Sequence, residues 1–519
     1  MTGRMDTWTD VLLAGAERMP EGVAFCSLKD GADPDAIDRE AFVDRALRVS
    51  RGLRDLGLRK GSVVVLLGEP STDWAVTFAA VLLAGGMPAP LAPRVPRAEF
   101  DRVMAASGAQ FAAVSVGSPA FGVDLPRLGH VIVTFENVGG VLPSVEQMYE
   151  LEPTSPVRST DTDPAVVLHT SGTTGNPKFA VHTHRSYLGL LRRWTQLTMT
   201  ENDRVLSFLP LNHQGGLLLS WFSAYYVGAP YYHLNRFSLN GFWEAVRAYE
   251  ITWTGLMDPV PAYLLSAEPS GDDRNHSLRF VTGSRKPGEV AELDERFGIR
   301  QARPYGSTEA TIVAFSGDLD RPEVQGLSPE QSAACAGPPL PDWSFRIVQA
   351  DGTEAPTSVT GALEVYGPSL FSYYLNDPEA TRRAFTDDGW YKTGDRAYVN
   401  EHGELFFVER SGNSIRRSGE FISAAEVEAI LLEHPEISEA CVVAVPDELR
   451  GNEVRACVVR VAGSSLTAQQ VFDHCLASLA KFKVPRYIDF WDQLPRTSTL
   501  KIARGALVSD PETWVDRYA

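Results

Sequence analysis

The chain is poor in cysteine, short of positive charge and without a long uninterrupted apolar run. Five cysteines (Cys26, Cys335, Cys441, Cys457 and Cys475) are scattered over 519 residues with no C-x-x-C spacing. An odd, dispersed set speaks against a disulfide framework and against a zinc site, and it suits a reducing compartment. Lys and Arg number 48 against 66 Asp and Glu, a formal charge of −18. That balance argues against nucleic acid or an anionic membrane as partner, since both demand basic patches. The most apolar stretch, AVTFAAVLLAGGMPAPLA, is broken by Gly85, Gly86 and two prolines. It falls short of a transmembrane span. The opening MTGRMDTWTDVLLAGAERMPEG meets charge before any apolar run and does not read as a signal peptide. A cytoplasmic location is the resulting expectation.

What is present is ordinary globular composition, 44% hydrophobic and 22% charged. The length exceeds one compact core, so two or more domains are expected. In AFVDRALRVSRGLRDLG, Phe42, Ala46, Val49, Leu53 and Leu56 recur at helical spacing, and Gly57 supplies a stop. SVVVLLG reads as a buried strand and DWAVTFAAVLLAGG as a buried helix. The alternation continues through RAEFDRVMAASGA, QFAAVSV, GHVIVTF, RVLSFLP and SLRFVTG. Strands interleaved with helices imply βαβ units around largely parallel sheets, an α/β fold. After residue 340 the segments shorten to WSFRIVQADG, GALEVYG and GELFFVERSG, which read as hairpins or a small barrel. The last hundred residues look like a compact α+β unit. The polar ERSGNS (409–414) is the expected boundary, giving 1–409 as a large N-terminal domain, 410–414 as a hinge and 415–519 as a small mobile C-terminal domain.

The chemistry concentrates in HTSGTTGNPKFAVHTH (169–184). A loop rich in Gly, Ser and Thr wraps phosphates because glycine lets backbone N–H groups converge, while hydroxyls and a lysine add donors and charge. The spacing is not that of a P-loop, because Asn176 and Pro177 separate Gly175 from Lys178. By itself such a cluster is either a phosphate loop or a surface turn. TSGTTGNPK as a whole resembles the phosphate-loop signature of adenylate-forming enzymes: acyl-CoA synthetases, peptide-synthetase adenylation domains and luciferases. Further strings resemble the family's motifs in the family's order: LPLNHQGGL (209–217), YGSTEA (305–310), GWYKTGD (389–395), ERSGNSIRRSGEFISAAEVE (409–428) and PRTSTLKIARGAL (495–507). The resemblance spans essentially the whole chain.

It implies an ATP-dependent acid–CoA ligase that makes an acyl-adenylate and then a thioester, with ATP/AMP, Mg²⁺ and coenzyme A as its cofactors. It further implies roles for particular residues. Thr170, Ser171, Gly172, Thr173, Thr174, Gly175 and Lys178 would hold the β- and γ-phosphates. Glu309 would bind Mg²⁺ and Thr308 would reach the α-phosphate. Asp395 would accept the ribose hydroxyls, with Arg410 assisting at ribose or phosphate. Tyr305 would stack near adenine or serve as a core tyrosine. Lys501 would offset repulsion between the acid's carboxylate and the α-phosphate. Gly419 would let a pantetheine arm pass. His213, Gly283, Ser284, Arg285 and Gly306 would line the acyl pocket, with Arg285 meeting either a polar group of the acid or solvent.

Three positions depart from the family's pattern. Phe179 stands where a second glycine usually follows the loop lysine, Leu500 replaces the glycine before Lys501, and Asn413 replaces the commonest hinge Asp. Two of the three flank adenylation lysines, so an enzyme performing mainly the thioesterification half-reaction on a preformed adenylate stays open beside neutral variation. A stand-alone adenylation enzyme loading a separate carrier protein, and a non-catalytic nucleotide- or acyl-binding relative, are the other readings. The identity of the acid is not legible.

Overall fold

The computed structural model describes residues 5–29, 31–121, 130–139, 142–170, 178–256, 260–282, 289–299, 301–316, 335–349, 351–410, 414–418, 420–495, 502 and 504–518. The chain forms two compact units. One comprises residues 1–93, 107–169 and 179–411; the other comprises 94–106, 170–178 and 412–519.

The first unit is built on sheets of the expected kind. Strands Val23–Leu28, Tyr231–Leu234, Val205–Ser207, Trp253–Gly255, Phe280–Thr282 and Gln301–Ser307 lie parallel to their neighbours in an eight-stranded sheet. Asp35–Asp38 and Thr311–Ser316 close its two edges antiparallel. A second sheet is wholly parallel, in the order Met87–Pro90, Val63–Leu67, Phe111–Val114 and Val131–Thr134. The short segments after residue 335 form a five-stranded antiparallel sheet, with Leu405–Arg410, Tyr391–Val399 and Gly361–Tyr366 at its centre.

Helices cover these sheets for readable reasons. Arg39–Asp55 starts at Asp38, whose carboxylate accepts from the Ala41 amide, and it turns Phe42, Ala46, Val49 and Leu53 inward. It stops where Gly57 takes a positive φ of 104°. Every residue of Thr72–Leu83 except Asp73 is buried, which explains why its sequence shows little amphipathic character. Trp74, Phe78, Trp221 and Phe222 pack ring against ring at the heart of this unit.

The second unit holds a sheet ordered Ile437–Asp447, Gly451–Arg460, Tyr487–Trp491, Val515–Asp516, with helices Ala424–Leu432 and Ala468–Ser478. A hairpin of Ser414–Arg417 and Glu420–Ser423 is anchored by Arg417, which grips the fully buried Glu453 carboxylate at 2.5 and 3.1 Å. Lys483 is likewise buried, between Glu99 and Glu426 at 2.8 and 2.9 Å. All five cysteines are free and buried, and burial pushes the thiols of Cys26, Cys441, Cys457 and Cys475 up to between about 11 and about 12. Among the described residues no helix is long and apolar enough to cross a membrane.

Candidate active site

The residues singled out in YGSTEA form the end of a strand, a tight turn and the start of the next strand. Gln301–Ser307 pairs antiparallel with Thr311–Ser316, and the register slips between Tyr305 and Gly306. Gly306 cannot be replaced there: a Cβ would stand 1.5 Å from the Thr311 carbonyl oxygen. Thr311 itself carries the strain of a positive φ, 55°. Inside the turn the Ala310 amide donates to Ser307 Oγ at 3.1 Å.

Four bonds from outside hold this turn. The Thr308 carbonyl oxygen lies 2.7 Å from His182 Nε2 and accepts from Gln214 Nε2 at 2.6 Å. The Glu309 carbonyl accepts from the Phe371 amide at 2.7 Å, and Glu309 Oε1 accepts from the Tyr374 hydroxyl at 2.8 Å. Tyr374 is placed by strand Tyr373–Tyr374, which pairs with Lys178–Thr183. A carbonyl can only accept, so His182 carries its proton on Nε2. Burial pushes the His182 pKa down to about 4, against the smaller upward pull of the Thr308 bond. The ring is therefore neutral at pH 7, and it stacks on Tyr187 with centroids 4.5 Å apart.

Asp395 lies on strand Tyr391–Val399, its backbone opposite that of Arg410. Its Oδ2 accepts from the Tyr305 hydroxyl at 2.6 Å, and both residues are buried. The Asp395 amide donates to Thr393 Oγ1, which in turn donates to the Leu363 carbonyl. Tyr305 also faces Phe407, ring centroids 6.2 Å apart.

His213 is half-buried and precedes Gln214, so it sits on the segment that reaches the Thr308 carbonyl. A π-helix, Gly215–Phe222, follows at once. The wider coil is filled by the hydroxyls of Ser220 and Ser223, which donate to carbonyls five residues back, Gly215 and Leu218. Gly216 is needed here as well, because a Cβ would meet the Leu209 carbonyl oxygen at 2.3 Å. Phe179 is a buried strand residue whose ring lies 5.6 Å from that of His169, and whose carbonyl accepts from the Leu375 amide.

The structure thus brings together Tyr305, Gly306, Thr308, Glu309 and Asp395, and links His213 to them through its neighbour. Thr170 ends one strand and Lys178 begins the next. Ser171, Gly172, Thr173, Thr174, Gly175, Gly283, Ser284, Arg285, Asn413, Gly419, Leu500 and Lys501 lie outside the described residues. His182, Gln214 and Tyr374 carry no signal of their own in the sequence. His182 and Gln214 sit inside quoted strings, but only the tertiary contact gives them meaning.

A magnesium ion fits the donor chemistry of the turn. Glu309 offers a carboxylate oriented by Tyr374, and among the described residues no cluster of three or more His, Cys, Asp or Glu forms an all-protein cage. Magnesium is usually held by one or two carboxylates plus substrate phosphates.

Residues 14–375 match the AMP-binding enzyme family, and residues 426–501 match the AMP-binding enzyme C-terminal domain. The chain belongs to this adenylate-forming family, and within it to the AMP-forming acyl-CoA synthetase type. It is 32% identical to a crotonobetaine/carnitine–CoA ligase of Escherichia fergusonii, over 91% of this chain and 93% of the relative. It is 30% identical to an oxalate–CoA ligase of Arabidopsis thaliana, covering 89% and 90%. Among solved structures it resembles a malonyl-CoA ligase bound to methylmalonyl-CoA and AMP (26% identity, TM-score 0.75, 92% and 97% covered). It also resembles the o-succinylbenzoate CoA synthetase of Bacillus subtilis (25%, TM-score 0.82, 96% and 98%).

Proposed function

We propose that the protein activates a small polar carboxylic acid and delivers it to coenzyme A. The carboxylate attacks the α-phosphorus of ATP, pyrophosphate leaves with the electron pair of the broken P–O bond, and an acyl-adenylate remains. The thiol of coenzyme A then attacks the acyl carbonyl, its proton is lost to the medium, and AMP departs. The reading of the acid rests on the names of the relatives, which act on crotonobetaine, carnitine and oxalate, and on the malonyl-CoA ligase.

The first step brings anions together, so the chain must supply cations and fixed donors. In this reading Thr170 to Gly175 and Lys178 hold the β- and γ-phosphates, and Thr308 donates to the α-phosphate. Glu309 holds magnesium, which neutralises phosphate charge when bound. Asp395 accepts from the ribose hydroxyls and is itself oriented by Tyr305. Arg410 assists at ribose or phosphate, and Lys501 stands between carboxylate and α-phosphate. His213, Gly283, Ser284, Arg285 and Gly306 border the acid. For the second step Gly419 admits the pantetheine arm, and residues 410–414 serve as hinge between a large domain, 1–409, and a small one, 415–519.

The observation that carries this reading is the single hairpin, residues 301–316, which presents Tyr305 bonded to Asp395 and Glu309 bonded to Tyr374. A binding protein has no need of both carboxylates in such settings. The test supplies ATP, Mg²⁺, coenzyme A and a panel of short polar and aliphatic acids, and reads AMP release together with thioester mass. Acid-dependent AMP release with no thioester, followed by acylation of a holo-carrier protein, would move the protein to carrier loading. Brisk pyrophosphate exchange would retire the imbalance between half-reactions raised by Phe179, Leu500 and Asn413.

A further inference from the structure

Two side chains to which the family reading assigns no role converge on one carbonyl oxygen. His182 comes from the strand that follows Lys178, and Gln214 from the segment that carries His213. Their contacts to the Thr308 oxygen span 126 and 94 residues of sequence. On the other side of the Glu309 Cα, the next carbonyl is held by the Phe371 amide. Both peptide planes that flank Glu309 are therefore fixed from outside the turn, and Tyr374 fixes the carboxylate at the far end. A carbonyl oxygen has two acceptor sites, and here both are filled by side-chain N–H groups.

We infer that His182 and Gln214 are positioning residues for adenylate formation: their paired N–H donors hold the Thr308 carbonyl, and through it aim the Thr308 hydroxyl and the Glu309 carboxylate. This rests on the roles assigned to Thr308 and Glu309 under the proposed function. Neither side chain needs to touch the nucleotide. A reacting geometry misplaced by about 1 Å commonly costs on the order of 10²-fold in rate, so losing one of the two donors is felt in the chemical step. The arrangement also joins three parts of the site at one atom: the strand after the phosphate loop, the segment of the acyl-pocket histidine and the turn of the metal carboxylate.

Four variants of the full chain test the inference. Gln214→Met keeps length without a donor, and Gln214→Glu places an acceptor against an acceptor. His182→Phe keeps a stacking ring without a donor, and His182→Gln restores an N–H. Each is compared with the wild type in three measurements: ATP–pyrophosphate exchange with the best acid, ATP affinity by calorimetry with and without Mg²⁺, and thioester formation from synthetic acyl-AMP. Q214M and H182F are expected to lower kcat for exchange by about tenfold or more, with KM for the acid changed far less. Both are expected to lose most of the gain in ATP affinity that Mg²⁺ gives the wild type. Q214E falls below Q214M, and H182Q recovers most of the loss. Because burial keeps His182 neutral, H182Q follows the wild-type pH profile between pH 6 and 9; a profile that loses a limb would assign His182 an acid–base role and overturn the inference.

Exchange and Mg²⁺-dependent ATP affinity at wild-type levels in Q214M overturn it too. So does an equal fall in exchange, thioester formation and unfolding midpoint, which marks a packing defect alone. Should H182F fail to fold, Q214M and Q214E decide. A wild type inert towards every acid defeats the proposed function instead, and the calorimetric comparison of Q214M with wild type then decides the positioning role by itself.

Discussion

The hydroxyl of Tyr305 stands 2.6 Å from a carboxylate that water hardly reaches. Tyr305→Phe removes that donor and leaves the ring. We expect a loss of ~1.5–3 kcal/mol of stability, the usual cost of deleting one hydrogen bond to a carboxylate, and a severalfold rise in KM for ATP with KM for the acid nearly constant. Denaturant unfolding and steady-state kinetics read the two effects. Glu309→Gln keeps the bond to Tyr374 and the volume but deletes the charge. Its exchange rate should fall by about 10²-fold or more, and a Mg²⁺ titration should show ATP affinity no longer responding to the ion. Asp395, Tyr305 and Glu309 were legible because each sits in a short string of recognisable chemistry. Tyr374, His182 and Gln214 were not, since each acts on a residue 65 or more positions away, and no local pattern encodes such a meeting.

Elements were legible wherever local periodicity and burial agree. The helix Arg39–Asp55 and the strand Val63–Leu67 lie where spacing puts them. The π-helix Gly215–Phe222 was not legible, because GGLLLSWF is apolar almost throughout and shows no face whose period differs from 3.6. In the aromatic run 221–237, Trp221, Phe222, Tyr225, Tyr231 and Tyr232 are all buried in the core. The hairpin 414–423 gives a prediction at this scale. Glu453→Ala leaves Arg417 buried without its carboxylate, and removing one partner of such a pair costs ~3–5 kcal/mol. Hydrogen exchange on the full chain should show faster opening in residues 437–460, and thioester formation from acyl-AMP should fall further than pyrophosphate exchange.

Burial depresses the pKa values of four described histidines, His276 among them, and carries three of these far down: His182 and His184 to about 4, His233 to about 3. Unfolded, they bind protons near pH 6.5. Between that value and pH 4 the unfolded chain holds more protons than the folded one, so stability declines as the medium is acidified. We expect each histidine to contribute on the order of 1–3 kcal/mol of that decline between pH 7 and pH 4. Urea unfolding at pH 7.5 and pH 5 measures it, and H182Q should flatten the difference. The alternation of strand and helix made the α/β class plain from the sequence, yet the order of strands in the eight-stranded sheet was out of reach, being set by crossovers and not by any one segment.

The sealed sulfur atoms have a practical side. Cys26 and Cys335 belong to one compact unit, and Cys441, Cys457 and Cys475 to the other. A maleimide added to the native chain at neutral pH finds no ready nucleophile, so every alkylation event records an excursion from the folded state. Peptide masses from a timed labelling would then act as two independent clocks, reporting which half of the chain loosens first and whether nucleotide slows one of them, the other or both.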